Sequence, residues 1–314
     1  MVDTGLGGIQ LTDFLERELP SSHRLQLRSL MGAGGVRVNG EVCLSSHRLH
    51  AGDVVQVRLD GASAPPTVPR ALPEVRYESA SVLVVAKPAG MPTVPDRSGR
   101  DPGLHGLLAV LRPGDDLRIV HRLDRDTSGC LLLAKGPEAA RHFDEQFRGG
   151  LVAKTYEALV HGVPLQERFA IDAWLGPDRR RPGKVVAAAS ELPGFRAAHT
   201  DVLRQSTFSR HALLALHPTT GRSHQLRVHL QSVGHPIVGD RDYGGEPLLL
   251  SGLKTGYKLR AGVAERPLAD RMFLHAARVS FADLDGAQVV VETALPADLA
   301  TALQKLERFD DRRR

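Results

Sequence analysis

Between His121 and Lys135 the chain reads HRLDRDTSGCLLLAK. Thr127-Ser128-Gly129 is a turn signal, and the apolar run Cys130–Ala134 that follows has the length and composition of a strand inside a core. That run constrains the fold more than any other stretch, because whatever precedes it is held rigidly at the edge of the core. His121, Arg122, Asp124 and Arg125 thus stand at the mouth of a buried strand. Locally, Asp124 has a plain alternative: it caps the turn and pairs with Arg122 or Arg125, as structural ion pairs commonly do.

Size and charge narrow the partners. The 314 residues make one large domain or two, and 42% hydrophobic with 25% charged residues is the balance of a soluble globular protein. A net charge of +5 favours an anionic partner weakly. Cys43 and Cys130 are far apart in apolar surroundings, so two buried thiols are expected rather than a disulfide framework or metal site. The N-terminus lacks a signal-peptide pattern and no run of about 18 apolar residues occurs, so a cytoplasmic protein that does not enter a membrane is expected.

Residues 1–60 read as a small module. Leu11, Phe14, Leu15 and Leu19 recur at helical spacing up to Pro20, and Leu27, Leu30 and Met31 continue a second helix that ends at the glycines after residue 31. In VRVNGEVC, residues 36–43, Asn39-Gly40 joins two β-prone arms into a hairpin, and Gly52-Asp53 opens another strand. Arg24, Arg28, Arg37 and Arg48 form a cationic cluster. Residues 61–73 are rich in proline and small residues, a semi-rigid linker, and residues 74–314 form the second domain.

There, Ser81–Ala86 is a strand broken at Lys87-Pro88-Ala89-Gly90, and Pro137 starts a helix with Ala140, Phe143 and Phe147 on its apolar stripe. Val152–Gly162 alternates so that Tyr156 lies on the inward face with Ala158 and Val160. The segment from Leu165 to Ser209 is weakly patterned, and its basic stretch Arg179–Lys184 reads as a solvated loop, with RNA contact in second place. Leu226, Leu230 and Val233 define a helix that Ser223 can cap, which puts Arg222 just before its positive end. His224 and His229 point roughly 140° apart on that helix, and no recognised ligand spacing occurs, so no metal is expected. Met272–Phe281 is a further strand, and Asp310–Arg314 a charged tail.

Taken in order, these motifs resemble the RluA-type family of RNA pseudouridine synthases: KPAG, HRLDRDTSGCLLLAK, VAKTYEALVHG, TTGRSHQLRVHL with GHPIVGDRDYG, and FLHA at Phe273–Ala276. The N-terminal order of helices, hairpin and GD strand is similar to a small RNA-binding module of a ribosomal protein. The resemblance implies an α+β fold: a mixed, largely antiparallel bent sheet in two halves with flanking helices, plus a small N-terminal α/β RNA-binding domain. It implies Asp124 as the catalytic aspartate, Tyr156 lying against the base, and Arg222 pairing with Asp124. Leu274 would pack on the base and Arg122 would enter the helix stack. His121, Lys154 and His224 are further substrate-binding candidates. The sequence departs from the family at MPTVP after KPAG and at Phe281-Ala282-Asp283.

The implied reaction is isomerisation of uridine in structured RNA, ribosomal before transfer RNA, by a monomer that needs no cofactor. A nitrogen–carbon glycosidic bond breaks, the ring turns, and a carbon–carbon bond forms. An ionised Asp124 can add to the ring, bond to the sugar carbon, or take a sugar proton. Flipping the base costs a few kcal/mol, which Arg122 offsets by filling the gap. The alternative from another class is a non-catalytic RNA-binding or ribosome-assembly factor; hydrolase motifs are absent.

Overall fold

The computed structural model describes residues 8–19, 27, 36–42, 47–57, 72–95, 101–254, 256–259 and 264–310. The chain forms two compact units, Met1–Leu72 with Val94–Val110, and Pro73–Thr93 with Leu111–Arg314. In the first, helix α1 (Leu11–Glu18) and strands β1 (Val36–Val38), β2 (Glu41–Val42) and β3 (Val55–Val57) follow in order, and the strands pair as β2-β1-β3. Asn39 and Gly40 take φ of 51° and 88°, the left-handed pair that a two-residue hairpin demands. Leu11, Phe14, Leu15, Leu27, Val36, Val38 and Leu49 form the core. The remainder of the expected second helix, with Arg24, Arg28, Leu30 and Met31, lies outside the described residues, as do Cys43 and residues 61–71 of the expected linker. The apolar stretch after Gly103 is helix α2 (Gly103–Leu111).

The second unit holds β4 (Glu74–Glu78), β5 (Val82–Lys87), β6 (Leu117–Ile119), β7 (Ser128–Lys135), α3 (Gly136–Arg148) and β8 (Ala153–His161). Then come β9 (Arg168–Pro177), β10 (Val185–Ala188), β11 (Arg196–Thr207), β12 (His211–Pro218), α4 (Gln225–Ser232), β13 (Leu274–Ala282), β14 (Gln288–Glu292) and α5 (Ala297–Phe309). One sheet runs β10-β9-β11-β12-β8-β13-β7-β5-β4, with β14 beside β13 and β6 beside β7. The β7–β13 pairing is parallel and the others are antiparallel, which is the expected mixed, largely antiparallel α+β architecture.

Strand β7 is buried from Ser128 to Ala134, and each of its leucines contributes about 1.5–3 kcal/mol by leaving water. Two apolar clusters draw on the strands of the sheet. One gathers Val82, Val84, Cys130, Leu132, Phe143 and Phe281, and the other Leu159, Leu214, Leu230, Phe273, Leu299 and Leu306. The segment without clear pattern, residues 165–209, contains three strands. Their inward positions include Ala198 and Thr200 beside Val202, so small and polar residues hide an alternation that larger side chains would have displayed. Helix α4 also begins differently from expectation. His224 is its N-cap, with φ 53°, and Ser223 makes no cap bond. Instead, Gln225 Oε1 accepts the Arg222 N–H at 2.9 Å and the Thr220 hydroxyl at 2.8 Å. Among the described residues no helix is long and apolar enough to cross a membrane.

Candidate active site

Three neighbouring strands bring the site together. Ala276 of β13 stands opposite Gly129 of β7 on one side and Tyr156 of β8 on the other. Gly129 has φ 118°, and a Cβ there would lie 2.2 Å from the Ala276 carbonyl oxygen, so the glycine of the TSG turn is what lets β7 approach β13. Asp124, five residues before it, reaches the same end of β8: its charge and burial both raise the pKa of the Tyr156 hydroxyl, burial the more. The phenol therefore keeps its proton across the neutral range.

Both neighbours of Asp124 are anchored. Thr93 Oγ1 donates to the Leu123 carbonyl at 2.8 Å and accepts the Leu123 N–H at 3.1 Å. On the other side, the Arg125 carbonyl accepts from Gly90 N–H at 2.9 Å and from Lys87 Nζ at 3.1 Å. Lys87, the lysine of KPAG, is 1% exposed and also donates to the Pro88 and Met91 carbonyls at 2.9 and 2.7 Å. Burial pushes its pKa down to about 7, while Asp124 and Asp126 work against the shift. Using three donors at once requires the ammonium form, so these carbonyls favour retention of the proton. Arg271 completes the brace, donating to the Asp126 carbonyl at 3.2 Å and to Ser128 Oγ at 3.1 Å.

The guanidinium that meets Asp124 belongs to Arg227. Arg227 Nη1 donates to Asp124 Oδ2 at 3.2 Å. Arg222, expected in that role, instead donates through Nε to the Ala197 carbonyl at 3.0 Å. The reason is helical geometry. Arg222 precedes α4 and turns toward β11, whereas Arg227 lies within the helix among the buried Leu226 and Val228. An arginine inside an apolar helix segment, followed by the acidic pair of GDRDYG, is the signal that could have found it. Burial alone would lower the pKa of Arg227, but Asp240 and then Asp124 more than reverse this and raise it.

The other expected residues divide into two groups. Leu274 is buried in the core and stands opposite Ala158 in the sheet. Arg122 is exposed at the surface, and Lys154 is half-buried with Nζ 5.9 Å from the centre of the Phe147 ring. Burial lowers the pKa of Lys154 to about 8, and no carboxylate pairs with it among the described residues. His224 Nδ1 lies 2.7 Å from Tyr243 Oη. His121, by contrast, is turned into the fold: its Nε2 accepts the Leu132 N–H at 2.9 Å, and its ring stacks on Phe147 at 4.7 Å. In the first unit, Arg37 donates to the Gly40 carbonyl and Arg48 to the Gly8 carbonyl, each at 2.8 Å from an exposed position.

A family model described as RNA pseudouridylate synthase matches residues 81–232. The ribosomal large subunit pseudouridine synthase C of Vibrio cholerae is 32% identical over 98% of this chain and 96% of its own length. The protein of the same name in Escherichia coli is 32% identical, with 95% and 93% covered. Among solved structures, human RNA pseudouridylate synthase domain containing 1 matches with a TM-score of 0.57 and 29% identity, over 73% of this chain and 87% of that one.

Proposed function

We propose, for a chain that belongs to the RNA pseudouridine synthase family, that it converts specific uridines of ribosomal RNA to pseudouridine with Asp124 as the reacting carboxylate. The observation that carries this is the Asp124–Arg227 ion pair, 3.2 Å long, at the mouth of β7 and beside Tyr156. Each route open to the carboxylate, whether ring addition, bonding to the sugar carbon or removal of a sugar proton, needs its charged form next to the base. Arg227 presents a charged N–H donor to it. Tyr156 offers a ring face and a protonated hydroxyl to the detached uracil. Arg122, exposed at the turn, fills the gap left by the flipped base, and Lys154, a cation with no carboxylate partner among the described residues, meets a phosphate.

The choice of ribosomal RNA follows the names of the relatives. In the same reading, residues 1–60 are an accessory RNA-binding module, residues 74–314 the catalytic domain, and the protein a cytoplasmic monomer. The test is pseudouridine mapping by carbodiimide primer extension on large-subunit ribosomal RNA and transfer RNA incubated with the full-length protein. Asp124→Asn is expected to lose about a hundredfold or more of the rate while still binding RNA. Full modification by Asp124→Asn would sink the assignment of the carboxylate, and modification of transfer RNA alone would sink the ribosomal substrate.

A further inference from the structure

The segment Gly239–Gly245 has no part in the reaction as described so far, yet it surrounds the arginine that faces Asp124. We propose that Asp240 is a positioning residue, whose carboxylate fixes the Arg227 guanidinium so that Nη1 is aimed at Asp124. This rests on Asp124 being the reacting carboxylate.

Asp240 grips Arg227 from the side away from Asp124. Arg227 Nε donates to Asp240 Oδ2 and Nη2 to Asp240 Oδ1, each at 2.7 Å. Two parallel bonds of this kind fix the plane of a guanidinium as well as its place. The second Nη2 hydrogen goes to Asp242 Oδ2 at 3.1 Å, and the Tyr243 ring lies 4.8 Å from Arg227 Cζ as a floor. Of the five N–H donors on an arginine, this leaves the two of Nη1. One meets Asp124, and the other has no acceptor among the described residues.

The backbone that carries Asp240 is equally fixed. The Asp240 carbonyl accepts from Tyr243 N–H at 3.1 Å and from Gly245 N–H at 2.8 Å, and the Asp240 N–H donates to the Ile237 carbonyl at 3.0 Å. A Cβ on Gly245 would fall 1.7 Å from the Ile237 oxygen, so the turn closes too tightly for any other residue. Asp242 has a different place: its side chain is 42% exposed against 1% for Asp240, and it is shared with Lys184 at the foot of the β9–β10 hairpin.

Stability alone is a poor reason for such a pair. Taking both charges out of water costs about as much as their attraction returns, and an apolar pair of equal volume commonly serves a core as well. What the ion pair adds is direction. An error of about 1 Å in a group that touches the reacting atoms costs on the order of a hundredfold in rate.

The experiment measures single-turnover pseudouridine formation and RNA Kd for the full-length wild type, Asp240→Asn, Arg227→Met and the double variant, with Asp124→Asn as control. Asp240→Asn is expected to lower the rate by about 10- to 100-fold with Kd little changed. In the Arg227→Met background it should cost no more than about twofold further. Asp240→Glu keeps the charge but moves it by one methylene, so Kd should again be little changed while the rate stays low. An undiminished rate in Asp240→Asn beside an inactive Asp124→Asn overturns this proposal alone. So do losses that multiply in the double variant, or an Asp240→Glu enzyme restored to the wild-type rate. Full activity in Asp124→Asn overturns the assignment of Asp124, and this proposal with it.

Discussion

His121 accepts a backbone N–H through Nε2, which only a neutral imidazole can do. Burial, and then Lys154, push its pKa down to about 3, and burial with His161 takes His211 down to about 4. Each folded value lies below the ordinary 6.5, so the unfolded chain takes up protons first as the pH falls. Stability is therefore expected to drop from about pH 6.5 toward pH 4. Urea midpoints at pH 7, 5.5 and 4.5 should decrease in turn and do so less in His121→Gln; identical slopes in the two proteins would contradict the role given to His121. Gly129→Ala is a harsher change. Its φ of 118° alone costs about 1–3 kcal/mol, and the clash with the Ala276 carbonyl adds to that. Equilibrium unfolding measures the loss, and an unchanged midpoint would mean that β7 and β13 do not need their close approach.

At the level of elements, the site depends on strands that are covered from behind. Helix α5 buries Leu299, Ala302 and Leu306 in the core shared with β8 and β12, and Asp310 at its end accepts the Ser209 N–H at 2.8 Å. Leu306→Ala is expected to cost about 2–5 kcal/mol, read as a lower urea midpoint, and a cost below about 1 kcal/mol would show that the helix is not part of that core. Elements with a clean period were legible in advance: α1, the Asn39-Gly40 hairpin, β5, β7, α3 and β8. Strands β9 to β11 were not, because a strand that buries alanine and threonine shows no hydrophobic alternation. The N-cap of α4 was misread for a related reason. Ser223 has the right chemistry, but Gln225 satisfies the backbone from inside the helix and His224 takes the left-handed position.

Over the whole molecule, the charge of the N-terminal module is open to a direct test. If Arg24, Arg28, Arg37 and Arg48 touch phosphates, replacing all four with alanine should flatten the plot of log Kd against log salt by about 0.7–0.9 for each phosphate no longer neutralised. Filter binding between low and moderate salt measures this, and an unchanged slope would remove the N-terminal module from RNA binding. By itself the sequence determined the family, the buried strand over Cys130–Ala134 and the place of Asp124 before it, since periodicity, turn chemistry and motif order are local properties of a chain. Only the tertiary structure decided which cation meets Asp124. Arg222 and Arg227 are both basic and both near the start of one helix, and the choice between them depends on which of the two positions faces Asp124. The same fold turned His121 inward and closed Asp240 onto Arg227. Asp124 and Arg227 stand more than a hundred positions apart, and no local pattern records which distant partner a side chain will meet.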